Sequence, residues 1–427
     1  MARIVHHKGS PATPAAKICY VWPLNNVGGI ETLICRHGAW LKAQGLGACL
    51  VTCMGAMDSA YEKAFDRVIR LASHELDLPC LTDDEFDAVI DSVAQRLRGE
   101  SAYHFVFFNH LGAYMASRLA ERFEGSRTTL YLLEDRILGP ARLEYVDQMN
   151  EAGLVITMND ACAAGHRESY GYRLSPSPEV IPLAVAPARK NRPTARDGVL
   201  ILAVARLHPM KEYIFGLIDA VATLRKEGCD DVRLTVVGDG PLKAGLVALV
   251  RSHGLEAHVM FAGTVDPAEL PAYYSEADIF VGMGTTLLEA SSHRVASVVA
   301  IGHHPEFMSP GFFADTSGSY TGEAVRDVSA QQGIAYLRQL VASPKLRQEV
   351  AEDCHRKVER EFSTESVMSR YMAKLVSVNA AIYDVPVPMR PFRYGKIRRF
   401  LKRRLRRIHF AMSIGRLARK LLGGIDF

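Results

Sequence analysis

Short apolar runs recur along this chain, each followed by a glycine- or proline-containing turn and a longer stretch with apolar residues at three- and four-residue steps. Strands hydrophobic on both faces must be covered on both sides, and helices returning between them make the sheet parallel. The first series opens with an apolar run at 18–24, turns through Asn25, Asn26, Val27, Gly28 and Gly29, and continues as a helix over 30–44 carrying Ile30, Leu33, Ile34, His37 and Leu41. Further strands are expected at 48–53, 105–108, 129–133 and 154–157, with helices at 83–98 and 112–123. Between 182 and 198 the composition shifts to prolines and cations, the signature of a linker. The alternation then restarts, with strands at 199–204, 233–237, 259–262, 279–281 and 297–300. Helices fill the gaps at 214–226, 241–253, 267–276 and 285–292, and beyond them 331–341 and 344–362 read as helical. A last helix over 363–381 starts at the capping serine Ser363.

At 427 residues the chain exceeds one hydrophobic core, and the pattern divides it into two doubly wound, Rossmann-like domains of the α/β class. The expected division is a flexible 1–16, a first domain over 17–185, a linker at 186–198, a second domain over 199–362, a crossover helix over 363–385 and a basic tail from 386 to 427. With 48% hydrophobic and 23% charged residues, and no apolar run of export-signal or membrane-span length, the expected location is the cytoplasm. The eight cysteines are scattered without a CxxC pair, which reads as reduced core thiols rather than a zinc site.

Two cations stand just after the first strand of the second series, Arg206 and Lys211, and a carboxylate, Glu289, follows a glycine turn later in it. Fixed cations at a strand end suit a diphosphate, and a carboxylate on such a helix suits sugar hydroxyls, which together point to an enzyme using a nucleotide-sugar. Any one of them alone reads better as a solvated loop charge or a helix-surface residue; together and in this order they are hard to dismiss. In a two-lobed α/β protein the crevice lies at the carboxyl ends of the strands, so Arg206, Lys211, Gly28 and Gly29 are expected to face one cleft. Gly238-Asp239-Gly240 is a poor dinucleotide fingerprint, because position 243 is Lys and the strand is the second of its domain. No Asp-x-Asp occurs in the cleft segments, so no metal site and no cofactor are expected.

Over roughly 17–380 the chain resembles the family-four retaining glycosyltransferases of GT-B architecture. The residues that carry the likeness include Gly28-Gly29-Ile30-Glu31, Val180-Ile181-Pro182-Leu183, the stretch 204–211, Val236-Val237-Gly238-Asp239-Gly240-Pro241, the stretch 259–265, Leu288-Glu289-Ala290 and Arg360-Glu361-Phe362-Ser363. The resemblance implies an acceptor lobe first, a donor lobe second, and a nucleoside-diphosphate sugar as donor. Arg206 and Lys211 would clamp the diphosphate and stabilise charge on the leaving nucleotide. Backbone amides of Gly284, Thr285 and Thr286 would hold phosphate oxygens, with Gly28 and Gly29 approaching from the other lobe. Glu289 would take the ribose hydroxyls, Gly238 and Val265 would shape the nucleobase pocket, and His110 would sit near the donor sugar or merely cap a helix. The chain departs from the family pattern at Val281, where a first glutamate is usual, at His293-Arg294-Val295, and at Glu134-Asp135, where His-Asp is common; Glu134 reads as an acceptor-side group or a solvated strand-end charge.

From 386 onward thirteen cations face Asp426 alone, so the tail carries +12 and the remainder about −8 to reach the chain's +4. Ile397, Phe400, Leu401, Leu405, Ile408 and Met412 form one apolar stripe amid Arg and Lys, the pattern of a helix lying on an anionic membrane through 390–420. Docking on an acidic protein is the alternative; nucleic acid is not expected, since no aromatic platform accompanies the charge. The combined expectation is a hexose-transferring, metal-independent retaining glycosyltransferase at the inner membrane face, acting on a glycan or lipid-linked acceptor in polysaccharide, lipopolysaccharide or glycolipid synthesis. A non-catalytic glycosyltransferase-like scaffold subunit is the second reading.

Overall fold

A computed structural model describes residues 16–25, 28–71, 78, 81–100, 102–133, 143–186, 188, 198–324 and 328–378. The basic tail, Glu134, Asp135 and most of the linker lie outside the described residues. The first lobe runs β1 (Lys17–Val21), α1 (Gly29–Ala43), β2 (Ala48–Thr52), α2 (Asp58–Ala64), β3 (Arg67–Arg70), α3 (Asp83–Leu97) and β4 (Tyr103–Phe107). It continues with α4 (His110–Ala120), β5 (Arg127–Leu132), α5 (Leu143–Glu151), β6 (Val155–Thr157), α6 (Asp160–Tyr170) and β7 (Glu179–Val180). The second lobe follows as β8 (Val199–Val204), α7 (Tyr213–Lys226), β9 (Val232–Val237), α8 (Lys243–Ser252), β10 (Val259–Gly263), α9 (Leu270–Glu276), β11 (Ile279–Gly282), α10 (Thr285–Ser292) and β12 (Ala296–Val299). A small hairpin, β13 (Met308–Ser309) with β14 (Gln331–Gln332), precedes α11 (Ile334–Ala342), α12 (Pro344–Glu361) and α13 (Thr364–Ser377).

Both large sheets are parallel, in the orders β3-β2-β1-β4-β5-β6-β7 and β10-β9-β8-β11-β12. Strand order reverses beside β1 in one and beside β8 in the other, and at such a switch point neighbouring loops diverge and leave a crevice at the carboxyl ends. The central strands are buried along their length, as β1 and β8 show, so each Ile, Leu or Phe removed from water there contributes about 1.5–3 kcal/mol.

Some elements escape a reading by periodicity. α2 and β3 form from 58–70, where β3 has only Val68 and Ile69 between Arg67 and Arg70 at a sheet edge, too short an apolar stretch to read as a strand. β5 begins at Arg127, two residues before the expected start, because its parallel ladder with β4 extends to the His104–Arg127 pair; within it Thr129 Oγ1 bonds the buried His104 Nε2 at 2.8 Å. Residues 331–332 join a hairpin, so α11 begins only after Gly333. Among the described residues seven cysteines are free, and burial pushes the Cys49 and Cys354 thiols up to about 11. No helix among the described residues is long and apolar enough to cross a membrane.

The last helix belongs to the first lobe in space. Ser363, its cap, accepts from the Ser366 amide at 3.4 Å, and a backbone bridge joins Val185 to Ser363 where the chain crosses between lobes. α13 then lies on α1: Trp40 donates to Glu365 at 2.9 Å, Lys374 pairs with Glu179 at 3.4 Å, and the buried Tyr371 ring sits 4.8 Å from His37.

Candidate functional site

The carboxyl ends of the two sheets enclose a cleft of about 1390 Å³. The first lobe contributes Gly28, Gly29, Thr32 and Arg36; the second contributes Arg206, Lys211, Gly238, Val265, Gly284, Thr285, Thr286 and Glu289. A Cβ built on Gly29 would stand 3.6 Å from Thr285 Oγ1, and one on Gly28 would stand 3.6 Å from Arg206 Nη2, so the lobes nearly meet here.

Arg206 follows β8 in a turn closed by His208 N to Arg206 O at 2.8 Å and Lys211 N to His208 O at 2.7 Å, which puts both cations on one rigid loop. That loop leans on the end of β9. Gly238 has φ of 126°, and a Cβ there would lie 1.9 Å from Ala205 O, so only glycine lets the two strand ends touch. Gly238 thus works on the cation loop as much as on any ligand.

α10 starts at Gly284, whose φ of 66° and ψ of −144° are open essentially to glycine alone. Its amide is already donated to Thr321 O at 2.8 Å, which corrects the expectation that it holds phosphate. The first-turn amides of Thr285 and Thr286 remain as donors at the positive end of the helix. Thr286 Oγ1 binds Val204 O at 3.1 Å and anchors this turn to the end of β8.

Glu289 is not idle in this structure. Arg36, reaching across from α1, pairs with its Oε1 and donates to Ala184 O at 3.1 Å, while Tyr274 donates its hydroxyl to Oε2 at 2.8 Å. Burial and the Glu289 carboxylate raise the Tyr274 pKa well above its ordinary value, so the phenol stays a donor. His293, 5.5 Å from Tyr274 ring to ring, has its pKa lowered by burial, with Glu289 pulling the other way.

His110 falls apart from this group. It opens α4 after the Asn109 cap, its Nε2 is 3.5 Å from the Tyr172 hydroxyl, and it is not among the residues lining the cleft. Among the described residues the structure brings together the other expected site residues, Gly28, Gly29, Arg206, Lys211, Gly238, Val265, Gly284, Thr285, Thr286 and Glu289. Arg36, Tyr274 and Glu323 were not anticipated, although Gly29, Thr32 and Arg36 recur at helical steps on one face, a signal available in the sequence.

Residues 186–356 match the sequence profile of a family described as glycosyl transferases group 1. An alpha-monoglucosyldiacylglycerol synthase of Streptococcus pneumoniae is 22% identical over 227 residues, 49% of this chain and 50% of that protein. The chain spans about half the length of the curated relatives it matches, or less. Among solved structures, a glycosyltransferase from Rickettsia africae superposes with a TM-score of 0.65 at 14% identity, covering 85% of this chain and 98% of the other. Anabaena Alr3699/HepE in complex with UDP gives 0.63 at 17% identity, covering 84% and 100%. At these identities the structural likeness establishes the fold, two Rossmann-like lobes of the GT-B type.

Proposed function

We propose that this chain, whose residues 186–356 match the group 1 glycosyl transferases, moves a sugar from a nucleoside-diphosphate donor to a glycan or lipid-linked acceptor. The observation that carries this reading is the convergence of Arg206, Lys211 and the first turn of α10 on one cleft wall. As the bond from the anomeric carbon to the diphosphate breaks, negative charge grows on the leaving nucleotide, and two fixed cations with helix amides stabilise it most at that moment. The acceptor hydroxyl oxygen bonds the anomeric carbon from the side of the first lobe, and its proton passes to an oxygen of the departing diphosphate. Retention and independence of metal ions follow from the family resemblance, and NMR of the product anomer and turnover in EDTA test them.

A lipid-linked acceptor is supported by the diacylglycerol named for the pneumococcal relative and by the cationic, striped tail over 390–420. On this reading the enzyme sits peripherally on the inner membrane face. Anionic liposomes should bind the full chain, release it as salt rises, and fail to bind a chain lacking 390–427; equal binding to neutral liposomes argues for a protein partner instead.

One observation favours the non-catalytic alternative: both oxygens of Glu289 are engaged by protein groups. Nucleotide release from a panel of UDP-, GDP- and ADP-sugars with a membrane lipid extract separates the two. Turnover supports the enzyme; nucleotide binding without turnover on any pair supports a scaffold.

A further inference from the structure

Among the described residues four carboxylates line the cleft, and three are accounted for. Asp239 pairs with Lys243 at 2.6 Å, Glu289 pairs with Arg36, and Glu276 is exposed. Glu323 differs: it is 4% exposed, and among the described residues no cation lies within ion-pair distance of it. Among the described residues its oxygens accept from Thr321 alone, Oε2 from the amide at 3.0 Å and Oε1 from the hydroxyl at 2.7 Å. Each carboxylate oxygen can take a second hydrogen bond. A desolvated carboxylate without a cation is costly unless its acceptor capacity is used, and the open side of this one is the cleft.

The loop that carries it is fixed at several points. Gly284 N donates to Thr321 O at 2.8 Å, Gly302 N to Gly322 O at 2.9 Å, and the Tyr320 hydroxyl to Glu323 O at 2.7 Å. Gly322, at φ of 111°, is packed so closely that a Cβ would meet Ala300 O at 2.4 Å and Met283 Cβ at 2.6 Å. His303 N in turn donates to Met210 O at 3.0 Å, which ties this corner to the turn bearing Lys211. Glu323 therefore stands in a preorganised position between the start of α10 and the cation loop.

We propose that Glu323 binds hydroxyls of the donor sugar and sets which sugar the cleft accepts; this rests on the nucleotide-sugar reading above. A carboxylate repels phosphate, so the diphosphate lies toward Arg206, Lys211 and the α10 amides. Glu289, on the next turn of α10, is held by Arg36 and Tyr274 and, on the nucleotide-sugar reading, faces the nucleoside. What remains beside Glu323 is the uncharged, hydroxyl-rich end of the donor, and an acceptor-only group there requires O–H donors in a fixed direction. Val281 offers no such group, being fully buried on β11.

The test uses the full chain and measures binding of UDP, GDP and ADP beside binding and turnover of their glucose, mannose and N-acetylglucosamine conjugates. For the pair that the wild type uses, Glu323→Gln should lower kcat/KM about tenfold or more, as loss of a charged hydrogen bond does, and leave the Kd of the bare nucleoside diphosphate within about twofold. Glu323→Ala should behave likewise, with thermal shift confirming that each variant folds. Wild-type kcat/KM in Glu323→Gln overturns the proposal, as does an equal loss for the bare nucleotide and its sugar conjugate, which marks a structural role. A change confined to the acceptor KM also overturns it, since Glu323 then serves the other substrate. If the wild type itself binds no sugar nucleotide, the glycosyltransferase reading falls first and this one with it.

Discussion

α1 and α10 point their N-termini into the cleft from opposite lobes, each entered through a glycine, but their first turns are charged differently. α1 carries Glu31 in its first turn, buried to 6% exposure and accepting the Trp22 indole N–H at 3.2 Å. α10 carries no acidic residue in its first turn and starts beside Arg206 and Lys211. A helix start with its own carboxylate has its positive end offset, whereas one beside cations reinforces it. The same local architecture thus serves two purposes: α10 is built to hold an anion, and α1 brings backbone close without competing for it.

If that contrast is correct, the largest effects lie on the second lobe. Arg206→Ala and Lys211→Ala should each cut turnover about a hundredfold or more with unchanged circular dichroism, because each removes a charge-assisted contact to the leaving diphosphate; normal turnover in either breaks the assignment. Glu289→Gln should weaken nucleoside diphosphate binding by about 1.5–3 kcal/mol in calorimetry, and unchanged affinity would put the ribose elsewhere. Gly284→Ala should cost about 1–3 kcal/mol in urea unfolding, since no other residue rests easily at its φ and ψ. The matching change on the first lobe, Gly29→Ala, lies in ordinary helix with its Cβ at contact distance from Thr285 Oγ1 and should leave stability nearly unchanged. The smallest effect tests the comparison most directly. Glu31→Gln should raise nucleotide affinity by about 0.3–1 kcal/mol, because it uncovers the α1 dipole; a loss of affinity would mean that Glu31 supports the site.

The sheets and the cation loop were legible because both follow from rules local in sequence: apolar runs for strands buried on two faces, and charge placed directly after a strand. Arg36 was legible in principle through its helical step from Gly29 and Thr32, yet a lone arginine within an amphipathic helix says nothing of a partner in the other lobe. Glu323 left no signal. Its place depends on hydrogen bonds from Gly284 and Gly302, far from it in sequence, and on a glycine whose necessity appears only once Met283 packs against it. His110 lies outside the residues that line the cleft for a related reason: position after a strand fixes which end of the sheet a residue occupies, whereas the Asn109 cap and Tyr172 fix where its ring lies.

The return of α13 to the first lobe has a consequence for how the chain is made. Synthesis runs from the N-terminus, so the first lobe leaves the ribosome well before residues 364–377 exist. Until they arrive, the face holding Tyr20, His37 and Tyr131 lacks Tyr371, the ring that closes the stack. The first lobe to be translated is therefore the last to be finished, and it waits with an uncovered aromatic patch while the second lobe is synthesised. A nascent chain halted in the linker should accordingly bind chaperones or a hydrophobic dye, and adding the α13 segment in trans should quench that signal.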